Sequence, residues 1–375
     1  MKVIDADAHI EECEATFSDA YLEPRFRNRR PMVIPGPFEQ AFWLIDDVTL
    51  PRRHGPGASN LGTPAHYQGK LTPFTRGKPE SLESLELRDR AARFADMQAE
   101  NIDVQVLYPT LFLAYPLTAD PDFQAALCRA YNNWMCDLRG GDERFGWVGV
   151  MPLDNVSAAV AEVRRLKTEL HASGIMLLGL AGNDMLSHPR LLPFWEEVAA
   201  QDLPVALHVG WASPQLSSLA PNLLTSTVIA FLFPVLMGFA AILTSDLLDR
   251  FPNLRIGFME AGCEWIHFMT HRLDHRRTFL NAIAKFLPLP KPVAAERAAE
   301  YVAGGRLFFN TEVEDDLLPQ ALQLVGEDQI LFASDMPHGD RDRYAVKELR
   351  ARQDLSAVAV EKILCTNAKR FYGWS

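Results

Sequence analysis

Eight short apolar runs, each rich in β-branched or aromatic residues, recur along the chain with helix-forming stretches between them. This alternation restricts the fold more than any other feature. The runs fall near residues 3–7, 104–108, 147–151, 175–178, 204–208, 255–260, 307–310 and 330–334. Between them, residues 84–100, 123–138, 157–171, 191–201 and 317–324 carry an apolar face at about 3.6-residue spacing. Eight strands alternating with helices predict an α/β fold, the (β/α)8 or TIM barrel. Its chemistry sits on the loops after the C-terminal strand ends. At 375 residues the chain is read as one such domain, 1–375.

Four of the eight runs end on residues of metal-ligand type. The first leads into Asp7-Ala8-His9, with Glu12 three residues on. Strand alternation sends Asp7 and His9 to the same side. His208 closes the fifth run, Glu260 the sixth, and the eighth leads into Ser334-Asp335-Met336-Pro337-His338. Carboxylate oxygen with imidazole nitrogen suits zinc, manganese or iron. In a closed barrel these strands aim their side chains into one mouth. Glu260 ends an apolar run, where a buried carboxylate is costly without a metal or a charge partner. Asp335 could instead cap the segment that follows it, and His338 is expected close to the site.

Composition narrows the classes. A formal net charge of −11, with no Lys/Arg-rich block, opposes non-specific nucleic-acid binding. The five cysteines are odd in number and lack CxxC spacing, so they read as free thiols in a reducing compartment. The N-terminal residues run straight into a strand, and the expected location is cytoplasmic. No GxGxxG, P-loop or GxSxG element supports nucleotide binding or serine hydrolysis.

Three stretches stand outside the barrel pattern. Residues 10–82, rich in Pro, Gly, Arg and aromatics, are expected to form an inserted lid-like first loop over the barrel mouth. Residues 223–243 are long and apolar enough to suggest a membrane span. However, Thr225, Ser226, Thr227, Pro234 and Gly238 interrupt them and no basic flank orients them, so a buried or interface helix is expected, with a possible role as pocket wall. Glu264, His267, His271 and His275 share one helical face. That stripe is read as structural, because the helical di-iron pattern needs a second such motif on a facing helix.

The combination DADAHIEE, LHVG, EAG followed by Trp265 and RLD, and SDMPH resembles the metal-dependent amidohydrolase superfamily. It is closest to the branch of aminocarboxymuconate-semialdehyde decarboxylase and the resorcylate-type decarboxylases. The resemblance runs from Asp7 to Asn367-Ala368. It implies that Asp7 and His9 form the strand-one pair, that His208 is the strand-five ligand, and that Asp335 binds metal and handles protons. It also implies a homodimer. The departure is on strand six, where the decarboxylases carry a histidine and this chain has Glu260.

The first reading is therefore a metal-dependent hydrolase or decarboxylase-like lyase. Its substrate would be a largely hydrophobic small molecule with a carbonyl or carboxylate handle. Asp7, His9, Glu12, His208, Glu260 and Asp335 are the expected metal residues, and Asp335, Glu260 and His338 the catalytic ones. The second follows from Glu260: a carboxylate-rich set large enough for two metals, which suits iron. A small group in the superfamily resembles it and uses non-heme di-iron for O2-dependent hydroxylation. The third is a non-catalytic, metal-stabilised binding protein.

Overall fold

The computed structural model describes residues 2–55, 57–59, 62–73, 80–287, 294–339 and 341–375. Eight parallel strands form one sheet in strictly sequential order. They are β1 Ile4–Ile10, β2 Val104–Pro109, β3 Phe145–Val150, β4 Gly174–Leu178, β5 Val205–His208, β6 Ile256–Met259, β7 Leu307–Thr311 and β8 Ile330–Phe332. Every strand is buried along its whole length, as expected where helices cover one face and barrel interior fills the other.

The main helices are α1 Arg90–Ala99, α2 Pro121–Arg139, α3 Val156–Thr168, α4 Leu192–Gln201, α5 Phe233–Thr244, α6 Glu264–Ile283, α7 Leu318–Val325 and α8 Asn367–Tyr372. Their starts follow local chemistry. Asp89 accepts from Ala91 N–H, Asp120 from the N–H groups of Asp122 and Phe123, and Asn155 from Ala158 N–H. Each thereby satisfies donors that the first helical turn leaves open. The expected 84–100 helix is broken in two, because Leu87 takes a positive φ of 52° between Leu82–Leu85 and α1.

The seam between β1 and β8 closes through side chains as well as backbone. Asp335 N–H donates to Asp7 O (3.1 Å) and His9 N–H to Met336 O (2.6 Å). Asp5, fully buried, accepts from Ser334 N–H (2.9 Å), Ser334 Oγ (2.5 Å) and Gln105 Nε2 (2.9 Å). Burial pushes its carboxyl up to about 7. The buried Arg93 guanidinium completes the weld, donating to Gln105 Oε1 (2.8 Å) and to the carbonyls of His9 (3.0 Å) and Met336 (3.2 Å). β1, which carries His9, and the segment after β8, which carries Asp335, are thus tied together beside those residues.

Residues 10–82 hold more order than a loop. Met32–Pro35, Ala41–Ile45 and Val48–Leu50 pair as a three-stranded antiparallel sheet. Asp46 and Asp47 turn its last hairpin with φ of 48° and 62°, the two-residue geometry that matches strand twist. Trp43 and Ile45 face inward and are buried. Residues 56, 60, 61 and 74–79 of this segment lie outside the described residues.

Residues 223–244 form a continuous apolar helical stretch of mean hydropathy 2.3, less than half buried, with a π turn at Thr227–Leu232 leading into α5. One face lies on the barrel through Val235, Phe239 and Ile242. The approach is close enough that a Cβ on Gly179 would sit 1.6 Å from Pro234 O. Only glycine lets the helix backbone lie against the end of β4 at that point.

Candidate functional site

Alternation along β1 places Asp5, Asp7 and His9 on the barrel-interior side, and His208 is the last residue of β5. Glu260 and Asp335 follow β6 and β8, each at φ 53°. That left-handed conformation is uncommon away from glycine and tends to persist where surrounding structure enforces it. In both cases the turn comes at the residue whose carboxylate enters the mouth.

Six of the seven sequence-predicted residues come together. His9 Nε2 stands 3.5 Å from Asp7 Oδ1, 3.5 Å from Asp335 Oδ1 and 3.8 Å from Glu260 Oε2. His208 Nε2 is 3.3 Å from Asp7 Oδ2 and 3.2 Å from Glu260 Oε2. Two overlapping groups result, Asp7–His9–His208 and His9–Glu260–Asp335–His338, with the ligand-type atoms in each within 4.8 Å of one another. The two groups share His9.

The imidazole tautomers follow from hydrogen bonding. His9 Nδ1 faces Pro109 O at 2.9 Å and His208 Nδ1 faces Val209 O at 2.8 Å. A carbonyl only accepts, so each Nδ1 carries the proton and each neutral ring turns the Nε2 lone pair into the cluster. Burial, with His338 and His208 close by, holds His9 well below its ordinary range, which keeps that lone pair available. Burial raises Asp7, opposed by His208. His9 Nε2, His208 Nε2 and Asp7 Oδ1 are buried and have no hydrogen-bond partner among the described residues. Converging carboxylates and imidazole lone pairs without such partners are costly in a protein interior, and a divalent cation removes that cost. The residues present fit such an ion.

His338 connects the cluster outward. Its Nδ1 donates to Asp335 Oδ1 at 2.6 Å, and its Nε2 meets Thr110 Oγ1 at 3.2 Å. Glu12 departs from expectation and belongs to neither group. Its Oε2 accepts from the N–H groups of Thr110 (3.1 Å) and Leu111 (2.8 Å), so it pins the loop after β2. Burial pushes its carboxyl up to about 8. The His267–His271–His275 stripe lies on the exposed side of α6, outside both groups.

A cavity of about 240 Å³ opens against the cluster, lined by Asp7, Glu260, Asn310, Glu312, Arg341 and Asp335 among others. No residue of the 223–244 stretch lines it, so the apolar wall expected from that stretch does not form this cavity. Arg341 and Asn310 were not singled out in the sequence. Arg341 is held in a buried ion pair with Glu80 (2.5 Å) and paired also with Glu100. An Asp-Arg pair soon after a strand-eight Asp-x-x-His offered no signal beyond a charged loop.

The sequence profile described as amidohydrolase matches residues 4–374. Gamma-resorcylate decarboxylase of Rhizobium sp. (strain MTP-10005) is 30% identical over 240 residues, 61% of this chain and 70% of the relative. Among solved structures, an amidohydrolase of Mycobacterium avium subsp. paratuberculosis K-10 superposes with a TM-score of 0.78 at 21% identity, covering 100% of this chain and 98% of that one. A 5-carboxyvanillate decarboxylase of Novosphingobium aromaticivorans DSM 12444, solved with bound manganese, gives 0.67 at 21% identity over 78% of this chain and 83% of that one. The two structures share the barrel; the profile and the resorcylate relative carry the family. The chain belongs to the amidohydrolase family, on the branch that holds gamma-resorcylate decarboxylase.

Proposed function

We propose that the chain is a metal-dependent lyase that decarboxylates a small aromatic carboxylate. The observation that carries this reading is the fixed tautomer of His9 and His208, which turns two imidazole lone pairs onto Asp7, Asp335 and Glu260. Asp7, His9, His208 and Asp335 would hold the cation, with Glu260 beside them. When bound, the cation supplies Lewis-acid polarisation of a substrate carboxylate or phenolic oxygen. The rest falls to the side chains. As the bond to the carboxyl carbon breaks and carbon dioxide leaves, its electron pair stays on the ring carbon, which must gain a proton. The Asp335–His338 pair, 2.6 Å apart, would hold and deliver it. The 10–82 segment, in this reading, excludes water from the mouth. Resorcylate and carboxyvanillate decarboxylases among the relatives, one with manganese bound, support the substrate class and a manganese-type ion. Homodimer formation and a cytoplasmic location complete the reading.

A second reading has a specific observation behind it. Glu260 stands where the decarboxylases carry histidine, and its Oε2 lies within 3.8 Å of both His9 and His208 Nε2. Two groups sharing His9, one of three residues and one of four, offer ligands for two ions, and the carboxylate-rich set suits iron and O2-dependent hydroxylation. One experiment addresses both. Protein purified without chelator is assayed by metal analysis and given a panel of hydroxybenzoates, with carbon dioxide release and oxygen uptake followed together. One ion per chain with carbon dioxide release supports the lyase. Two irons with oxygen uptake supports the hydroxylase. Turnover that survives exhaustive chelation defeats both.

A further inference from the structure

Glu260 leaves β6 in a left-handed turn, and Trp265 Nε1 donates to Gly262 O at 3.0 Å just beyond it. Ala261 N–H reaches Asn310 Oδ1 at 3.4 Å, a long contact. Gly262 follows at φ 60°, and a Cβ there would lie 2.9 Å from Asp315 Oδ1. Cys263 N–H then donates to Asp315 Oδ2 at 3.1 Å. The same Oδ2 accepts from Glu312 N–H (3.1 Å) and Thr311 Oγ (3.1 Å), both at the end of β7. Asp315 is buried, and these three donors to its carboxylate are all neutral. One oxygen thus joins the chain after β6 to the chain after β7.

We propose that Asp315 is the positioning residue for Glu260. Its carboxylate accepts from both loops, fixes the Ala261–Gly262–Cys263 backbone, and thereby sets where the Glu260 carboxylate enters the cluster. An anion accepting three hydrogen bonds binds its donors more strongly than a neutral acceptor would. The absence of a Cβ at Gly262 lets that anion sit close against the turn. Asp315 does not itself line the cavity, and it reaches the site only through the loops it holds, the one after Glu260 and the one that carries Glu312. The inference rests on the reading of Glu260 as a metal-facing carboxylate.

The test is metal affinity, measured by titrating manganese into metal-free full-length protein well below its unfolding temperature. Asp315→Ala is expected to weaken binding about 10- to 100-fold, the usual cost of losing a residue that orients a ligand. Asp315→Asn keeps an oxygen acceptor of the same shape and is expected to recover most of that loss. A matched control comes from the other end of the barrel. Gln329 donates from its buried amide to the carbonyls of Val302 and Leu307, so Gln329→Ala lowers stability without approaching the site. It should bind manganese like the parent. Asp315→Ala affinity equal to that of Gln329→Ala overturns the proposal. Glu260→Ala is titrated alongside. If it loses affinity while Asp315→Ala does not, only the positioning role fails. If Glu260→Ala itself binds normally, the reading of Glu260 fails and the positioning role with it.

Discussion

His9 and His208 meet edge to face, ring centroids 5.0 Å apart at 80°, each anchored by its Nδ1 to a backbone carbonyl on its far side. Neither ring can swing without breaking a buried hydrogen bond. Pro109 is the last residue of β2 and Val209 directly follows β5, so the two Nε2 atoms are aimed by the barrel frame.

His208→Ala removes one of those two fixed donors and should lose most of its bound metal, with activity falling in parallel. The β5 strand is buried on both faces, so the fold should survive with lowered stability. Metal quantification and circular dichroism on the same preparation check this; full metal content in a folded variant would defeat the assignment of His208.

Glu260→His restores the residue type of the decarboxylases at strand six. Under the lyase reading it should keep one ion per chain and keep or raise carbon dioxide release. Under the two-metal reading it should drop from two ions to one and lose oxygen uptake. Metal stoichiometry alone separates these outcomes.

Glu12 has an ordinary value of 4.5 and is pushed by burial to about 8. Between those values the folded chain holds a proton that the unfolded chain has released. Its contribution to stability is therefore fully present below about 4.5 and is lost as the pH rises through about 8. Glu12→Gln stays neutral throughout and keeps an oxygen for the N–H groups of Thr110 and Leu111. Its melting temperature relative to the parent should rise between pH 5 and pH 8. A difference that does not change with pH would show that Glu12 is charged in the fold.

Gly179→Ala should be the most damaging single-methyl change in the barrel wall. Its Cβ would lie 1.6 Å from Pro234 O, backbone against backbone, so no side-chain rotamer can relieve it. Overpacking of this kind costs about 3 kcal/mol or more. Calorimetry should find a clear drop in unfolding temperature, and a neutral result would mean that α5 can move away from β4.

All eight strands were legible as apolar runs, because strands buried on both faces need no alternation to be seen. Asp7, His9, His208, Glu260 and Asp335 were legible because each ends or follows such a run. Glu12 was misplaced because its nearness to His9 in sequence says nothing of the N–H pair after β2 that claims it. The hairpin turned by Asp46 and Asp47 was hidden inside a Pro- and Gly-rich segment whose composition reads as loop. Yet the alternating Ala41–Ile45 run beside two turn-forming acids was the available signal. Asn310, Asp315 and Arg341 act through contacts between loops distant in sequence, and no local pattern announces them.

The left-handed backbone at Glu260 and Asp335 also bears on how such a site can change its chemistry over evolutionary time. That conformation bars β-branched residues but admits aspartate, asparagine and histidine more readily than most. A mutation between carboxylate and imidazole at position 260 therefore asks nothing new of the main chain. The site can exchange a carboxylate for an imidazole there by one substitution, with the scaffold left as it was.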